Sequence, residues 1–208
     1  MSADGIAYPP EPWQLRGVFR ASLWLVPRSS VEGFLPQGVS PVTLDDKVLI
    51  LTGWAVYTPG GVLEYRELLC AVAVGSWRAL GVTVTHIWVD NPASMAGGRE
   101  LWGIPKRLAR FTSPESDGFS EEAHDEHGPI ARLAFGRTAS LPGRWPLPLR
   151  TIQSLGDKLK VTRVRATGQV GFGSARWSFD EAGPLAFLHG LRPIVSMRLG
   201  SMGVSFGL

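Results

Sequence analysis

The hydrophobic positions along the chain fall mostly into short β-type runs separated by turn residues. Residues 19–26 are apolar and aromatic, and residues 47–57 form a nearly continuous β-branched run of the kind found in buried strands. Pro59-Gly60-Gly61 marks a turn before two further runs. The pattern predicts strands over residues 19–26, 47–57, 65–74, 82–89, 130–135, 158–180 and 194–206. Gly168, Gly171 and Gly173 predict bulges where the longest of these strands bends.

A change from strand-like to helical character follows residue 89. Asp90-Asn91-Pro92 combines N-cap residues with a proline suited to the first helical position, so a helix is predicted over residues 93–101. Gly103 and Pro105 end this helix. Lys106 is therefore expected just after a helix terminus, beside a proline that fixes the local backbone.

The remaining segments are less regular. Ser29-Ser30 offers N-caps to a short helix over residues 31–35, and another short helix is predicted over residues 184–190. Residues 112–129 are polar and acidic and are interpreted as a loop or hairpin tip. Residues 141–148 are rich in proline and are interpreted as a surface connection.

The fold class that follows is α+β, mainly antiparallel β, with a curved sheet or β-barrel and a few short helices. The chain has 208 residues, enough for one domain or two small ones. Because no internal repeat and no shift in composition marks a linker, residues 1–208 are expected to form a single domain.

Composition excludes several classes of protein. The hydrophobic fraction is 44% and the charged fraction 19%, which excludes general disorder. No apolar run approaches the roughly 18 residues of a membrane span, and residues 1–12 do not resemble a signal peptide. The single Cys70 excludes an internal disulfide framework and a multi-cysteine zinc site. We expect a cytoplasmic protein without a membrane partner.

The net charge of +3 raises the question of a nucleic-acid partner. The 21 basic residues are scattered, however, and no basic run exceeds two residues. Lys158, Lys160, Arg163 and Arg165 alternate with apolar residues, as on the solvated face of a strand. The prediction is that the protein does not bind nucleic acid.

Lys106 is a candidate for covalent chemistry because of its neighbours. The lysine amine has a pKa of ~10.4, so it is protonated at neutral pH and is not a nucleophile unless apolar walls or a second cation lower that pKa. Trp102, Ile104 and Leu108 could supply apolar walls, and Arg107 a second cation. From spacing alone, an ordinary surface lysine is the favoured interpretation.

A longer motif around Lys106 changes this interpretation. It runs D-N-x(6)-G-R-E-x-W-G-x-P-K-x-L, with Asp90, Asn91, Gly98, Arg99, Glu100, Trp102, Gly103, Pro105, Lys106 and Leu108 at the defined positions. The motif resembles the signature of the acetoacetate decarboxylase superfamily. Leu15-Arg16-Gly17, Leu35-Pro36 and Tyr65-Arg66-Glu67 resemble three further elements of the same family, and the resemblance is strongest over residues 62–110.

The resemblance implies a barrel-like, homo-oligomeric lyase that works through a covalent imine on Lys106, without a cofactor or a metal. Lysines of this kind, that of acetoacetate decarboxylase among them, are activated by desolvation or by a neighbouring cation. The implied substrate is a small keto acid: the iminium withdraws electrons, the carboxylate β to the carbonyl leaves as CO2, and the enamine is protonated and hydrolysed.

The resemblance also assigns supporting residues. Arg16 corresponds to the arginine that faces the substrate carboxylate, and Glu67 to an active-site glutamate that moves protons or orients the substrate. Judged without the resemblance, Arg16 is a surface arginine, and Glu67 is a strand-edge charge paired with Arg66 or Arg78. The substrate-binding set is Trp102, Ile104, His86 and Thr52, with a core histidine as the alternative for His86.

Thr52 stands where the family has a second glutamate, which leaves the specific reaction open. Chemistry like that of aldolase-dehydratases on the same lysine, and a non-catalytic ligand-binding protein, are the alternatives. His124 and His127 lie among acidic residues that could bind a metal. Their segment lacks apolar support, so a solvated loop is the interpretation and no metal site is predicted. Arg99 and Glu100 are interpreted as a structural pair on the helix.

Overall fold

One mixed sheet forms the framework of the protein. The computed structural model describes residues 5–76, 79–114 and 118–208. Within them a 12-stranded sheet is accompanied by one α-helix, α1 (Pro92–Trp102), and by short 3-10 turns. The strands are β1 (Trp13–Pro27), β2 (Thr43–Leu44), β3 (Lys47–Tyr57), β4 (Tyr65–Ser76), β5 (Ala79–Val89), β6 (Lys106–Leu108), β7 (Arg110–Thr112), β8 (Phe119–Asp125), β9 (Gly128–Ser140), β10 (Trp145–Leu155), β11 (Lys158–Phe179) and β12 (Val195–Phe206).

The sheet closes on itself to form a barrel. Strands β10, β5, β4, β3, β1, β12 and β11 pair in that order, and β11 pairs back with β10. The seam between β5 and β10 is parallel and has a single bridge, Thr151 to Val82. The Gln153 side chain reinforces it, accepting from Val84 N at 2.8 Å and donating to Val84 O at 3.0 Å. Strands β9, β8 and β7 extend outward from the C-terminal part of β11.

Two hydrophobic cores lie on the two faces of the barrel wall. All seven barrel strands contribute to the first, which we call the barrel core and which includes Trp13, Leu15, Tyr65 and Val204. The second, the flank core, is packed between the outer wall and the extension β7–β9 and includes Trp54. Because side chains alternate along a strand, β4 sends some to each core.

Most predicted strands are confirmed, with two differences. The first strand begins at Trp13, so Leu15-Arg16-Gly17 lies inside β1. The segment 112–129, predicted as a loop or hairpin tip, contains strand β8, which forms a hairpin with β9 and has Ser120 and Glu121 buried. Residues 115–117 lie outside the described residues. Burial of polar side chains explains why this strand resembles a loop in composition.

The predictions for the proline-rich segment 141–148 and for the glycines of β11 are confirmed in part. Strand β10 begins at Trp145, so the interpretation of residues 141–148 as a connection is wrong over its last part. Here β10 pairs with β11 alone, and an edge strand tolerates proline. Register shifts in β11 occur at Gly168 and next to Gly173, as predicted, but none is found at Gly171.

The main helix is confirmed, and the predicted short helices are found as 3-10 helices. Asn91 Oδ1 accepts from Ser94 N at 3.0 Å, and Gly103 ends α1 with a left-handed φ of 66°. Asp90 accepts instead from Arg66 N at 2.7 Å. The predicted short helices are 3-10 turns at Arg28–Ser30, Glu32–Phe34 and Ala186–Leu188, and no serine side chain caps the first two. In the described ranges, no helix is long and apolar enough to cross a bilayer.

Candidate active site

The Lys106 amine is buried and in contact with three polar groups. Its Nζ lies 2.8 Å from Glu67 Oε2, 2.9 Å from Ser94 Oγ and 3.4 Å from Tyr65 OH. Lys106 is 3% exposed, Glu67 5% and Ser94 0%. An ammonium group has three N–H donors, and each has an acceptor here.

Three elements bring these groups together. Strand β6 runs parallel to β5 and places Lys106 beside Ile87, while Glu67 on β4 pairs with Val89 of β5. Ser94 comes from the first turn of α1. The Arg99 side chain donates from Nε to the Lys106 carbonyl at 2.6 Å and so ties the helix to β6.

Gly98 allows the lysine stem to pass close to the helix. A Cβ added at Gly98 would lie 2.7 Å from Lys106 Cδ and 2.9 Å from Cε, closer than real Cβ contacts come. The backbone of α1 is therefore itself part of the wall around the lysine. Gly103 has a similar function at the turn that follows, because a Cβ there would collide with the Ser154 carbonyl.

Two tyrosines complete the polar cluster. Tyr57 OH donates to Glu67 Oε1 at 3.4 Å, and the rings of Tyr57 and Tyr65 lie 4.5 Å apart. Burial, and then the charge of Glu67, raises the pKa of both phenols well above the ordinary value. Both tyrosines are thus neutral at physiological pH and can donate hydrogen bonds.

This arrangement can exchange protons and hold a carbonyl next to an amine. A carboxylate in contact with Nζ can accept its proton, and the two hydroxyls can bond to oxygen or nitrogen formed at that point. The aliphatic stem of Lys106 lies among Gly98 and the residues of the barrel core. The cluster thus combines a potential nucleophile, a base and donors in one buried place.

Comparison with known proteins shows the family of the chain. The sequence model of the family described as "Acetoacetate decarboxylase (ADC)" matches residues 4–149. The chain belongs to the acetoacetate decarboxylase family. Acetoacetate decarboxylase 3 of Mesorhizobium japonicum is 28% identical over 103 residues, which are 50% of this chain and 40% of that protein. The match thus spans less than half the length of this curated relative.

Solved structures of the acetoacetate decarboxylase type share the fold. The acetoacetate decarboxylase of Legionella pneumophila superposes with a TM-score of 0.72 at 17% identity, covering 96% of this chain and 86% of that one. The enduracididine biosynthesis enzyme MppR, in its complex with pyruvate, gives a TM-score of 0.68 at 16% identity, covering 99% and 91%. At these identities the likeness establishes the fold, a curved mixed sheet, which agrees with the predicted fold class.

Two of the substrate-binding residues expected from the family resemblance lie on the same side of the sheet as Lys106. Ile104 and Trp102 are buried in the barrel core at 3% and 2% exposure. Trp102 Nε1 donates to Glu11 Oε2 at 2.7 Å, which anchors the indole. Their role in substrate binding stays a prediction.

Thr52 and His86 lie on the opposite face of the barrel wall. Thr52 Oγ1 accepts from Trp24 Nε1 at 2.9 Å in the flank core. The His86 ring is stacked near Trp88, and Phe34 packs edge-on against it. Burial, and then the charge of Arg107, lowers the pKa of His86 to about 4. The structure thus separates both residues from the lysine, and the alternative of a core histidine is the better description of His86.

Arg16 also lies apart from the lysine cluster. Its side chain is exposed, and its Cδ would be 3.6 Å from a Cβ added at Gly60 in the neighbouring turn. The alternation along β1 explains this position, because Leu15 faces the barrel core and Arg16 therefore faces outward. The contacts of Arg16 give no support to its assignment as the carboxylate-binding residue.

The expected second cation beside Lys106 is replaced by an anion. Arg107 is exposed on the other side of β6, and Leu108 is 46% exposed, so neither contacts the amine as predicted. Glu67 occupies that position instead. The alternative partner Arg66 lies 3.7 Å from Glu121 rather than beside Glu67, and Arg78 lies outside the described residues.

Other residues singled out in the sequence have structural contacts. Arg99 donates to the Lys106 carbonyl, and Glu100 Oε2 accepts from Tyr8 OH at 2.9 Å, so both helical residues are bonded to other groups, as their structural interpretation predicts. His124 and His127 each lie next to one acidic neighbour, Glu122 at 3.5 Å and Glu126 at 3.6 Å. In the portion of the chain that is described, no group of three His, Cys, Asp or Glu side chains could hold a metal ion.

Sequence reasoning missed Ser94, Tyr65 and Tyr57 as members of the cluster. Tyr65 could have been found, because a residue two positions before Glu67 in a strand shares its face. Ser94 carries no such signal, since its contact depends on how α1 docks against β6.

Proposed function

We propose that the protein is a Schiff-base-forming lyase that acts on a small keto acid of the acetoacetate type through Lys106. The observation that carries the proposal is the contact of the buried Lys106 amine with Glu67, Ser94 and Tyr65. Lysine, unlike arginine, can lose a proton and form an imine. Membership of the acetoacetate decarboxylase family supports the same chemistry.

The first step is proton transfer and addition. Glu67 Oε2 takes a proton from Nζ across 2.8 Å, and the neutral amine adds to the ketone carbon of the substrate. The carbinolamine oxygen then leaves as water after it receives a proton from the Glu67 carboxyl. Ser94 and Tyr65 hold the nitrogen through these steps with their hydroxyl groups.

Loss of CO2 follows from the iminium. The bond between the carboxylate carbon and the adjacent methylene breaks, its electron pair forms a C=C bond to the iminium carbon, and the π pair of the C=N bond moves onto nitrogen, so that CO2 and an enamine result. A proton returns to the enamine carbon, and water hydrolyses the imine to release the ketone and free Lys106. The apolar surroundings of Ile104 and Trp102 favour this step, because a charged carboxylate becomes neutral CO2.

Reductive trapping tests the proposal. The protein is incubated with acetoacetate and sodium borohydride, and its lysine-containing peptides are examined by mass spectrometry. Lys47, Lys106, Lys158 and Lys160 are the four lysines, so assignment is simple. We expect an adduct on Lys106. Absence of an adduct with acetoacetate and with pyruvate, in folded protein, would overturn the proposal.

Two variants serve as matched controls. Lys158→Ala removes an exposed lysine of β11 and should trap as the unmodified protein does. Lys106→Arg keeps a positive charge opposite Glu67 but cannot form an imine, so it should show no adduct. Ligand binding that survives unchanged in Lys106→Ala would favour a non-catalytic binding protein instead.

The mass of the adduct separates the reactions open to this lysine. Reduction after decarboxylation leaves an isopropyl group on Nζ, whereas reduction before it leaves the carboxylate attached. Pyruvate, with which MppR forms a complex of known structure, provides the second probe. An adduct that retains the carboxylate, with no release of CO2 from acetoacetate, would favour aldol or dehydration chemistry on Lys106.

A further inference from the structure

A cavity lined by arginines lies on the outer side of β6. It has a volume of about 700 Å³ and is bordered by α1, β6, β7 and β8. Arg99 of α1, Arg107 of β6 and Arg110 of β7 line it, together with Asp125 and Glu126. Arginines from three separate elements thus border one cavity.

The charges of this cavity are unevenly matched. Asp125 Oδ1 accepts from His127 N at 2.9 Å, and Glu126 lies 3.6 Å from His127 Nε2. Over the residues that the structure describes, no carboxylate lies within 4.0 Å of the guanidinium nitrogens of Arg99, Arg107 or Arg110. Asp125 and Glu126 therefore both contact His127, and among the described residues none of the three arginines forms an ion pair.

The donor geometry of the arginines favours an oxyanion as the ligand of this cavity. Guanidinium groups present planar pairs of N–H donors that match phosphate and carboxylate oxygens. Among the described residues, one of the five N–H groups of Arg99 donates a hydrogen bond, from Nε to the Lys106 carbonyl. Arg110 of β7 lies directly opposite His124 of β8, so the imidazole of His124 is on the same face of this strand pair.

We propose that this cavity binds a phosphate-type oxyanion, either inorganic phosphate or the phosphate group of a small molecule. The proposal does not require Lys106 to be catalytic, because the amine lies on the other side of β6 from the arginines. A bound anion would order Arg99, whose Nε contacts the Lys106 carbonyl, so the site lies one residue contact from the lysine backbone.

Isothermal titration calorimetry on the full chain tests the proposal. Inorganic phosphate and glycerol 3-phosphate are titrated at constant ionic strength, with sodium chloride as the reference. We expect saturable binding, and Arg107→Ala or Arg110→Ala should weaken it at least about tenfold, since each removes a charge-assisted hydrogen bond. Tighter binding of glycerol 3-phosphate would identify a phosphorylated small molecule as the ligand, and equal binding would identify the free anion.

Arg163→Ala is the matched control. Arg163 lies opposite Arg150 on the β10–β11 pair and belongs to a second basic surface, which shares no lining residue with the cavity beside β6. This variant should bind phosphate within about twofold of the unmodified protein, because only the general field changes. No saturable binding, or an equal loss in Arg163→Ala and Arg107→Ala, would overturn the proposal.

Discussion

Glu67 and Glu121 are two buried carboxylates, one on each side of the barrel wall, and their partners differ. Each residue is 5% exposed. Glu67 faces the barrel core and contacts Lys106 Nζ at 2.8 Å. Glu121 faces the flank core, where Trp54 Nε1 donates to it at 2.6 Å and Arg66 Nε lies 3.7 Å away.

The difference lies in whether the partner can give up a proton. An indole N–H and a guanidinium keep their protons at any physiological pH, so they can only satisfy the Glu121 carboxylate. Burial raises the pKa of Glu121, while Trp54, Arg66 and Arg20 act in the opposite direction. The amine opposite Glu67 can exchange its proton. A buried carboxylate beside a cation is thus a candidate for catalysis only when the cation can become neutral.

The same substitution at the two positions should give the largest difference in the rate of imine formation. Glu67→Gln removes the base next to Lys106, so we expect the rate of imine formation to fall about 10²- to 10⁴-fold. Glu121→Gln changes an equally buried side chain on the other face, and its rate should stay within about threefold of the unmodified protein. The measurement is the rate of borohydride-trapped adduct formation with acetoacetate.

Stability has to be followed in parallel. Both variants are compared by urea denaturation, and only the rate in the folded fraction is used. Equal losses of rate in Glu67→Gln and Glu121→Gln would mean that the Glu67 contact is structural, and would remove the base from the proposed mechanism.

The packing of the lysine stem gives a second and smaller expected effect. In Gly98→Ala, the new Cβ would lie 2.7 Å from Lys106 Cδ, so the amine must move away from its partners. A displacement of this size should slow imine formation about tenfold to a hundredfold. The helix itself should gain about 0.8 kcal/mol, because alanine has the higher helix propensity.

The control for this variant is Gly33→Ala, where an added Cβ meets nothing within 4 Å. It should trap at the unmodified rate. If Gly98→Ala also traps at that rate, the close contact between α1 and the lysine stem does not determine the position of the amine.

The two faces also explain how much of the fold could be predicted from the sequence. Strand β3 was predicted with its observed bounds because Val48, Ile50 and Trp54 give it a continuous apolar pattern. Strand β8 was missed because its buried residues include Ser120 and Glu121, which composition assigns to solvent. Polar residues that become buried through hydrogen bonds made by distant elements carry no local signal.

Only part of the candidate site was predictable from the sequence. Lys106 and Glu67 were found through a motif, and the structure brings their side chains into contact. The predicted first strand began after Arg16, whereas the structure places Arg16 inside β1 with an exposed side chain. Had the predicted strand begun at Trp13, the alternation with Leu15 would have directed Arg16 outward.

The smallest expected effect is the pH dependence of stability due to His86, which concerns only the flank-core side of the wall. Its folded pKa is about 4 against an ordinary 6.5, so between these values the unfolded chain binds a proton that the folded protein does not. The corresponding stability is fully present above pH 6.5 and is lost as the pH falls towards 4. At most about 3 kcal/mol is involved. In His86→Phe this dependence should disappear, as seen from urea midpoints at pH 7 and pH 4.5, whereas His127→Gln, at an exposed site, should keep it.

Trapping on Lys106 at pH 7 should be unchanged in His86→Phe, because the ring lies across the wall from the amine. A large loss of trapping would instead return His86 to the substrate-binding set, and an unchanged acid dependence would show that this histidine is not held neutral by its aromatic neighbours.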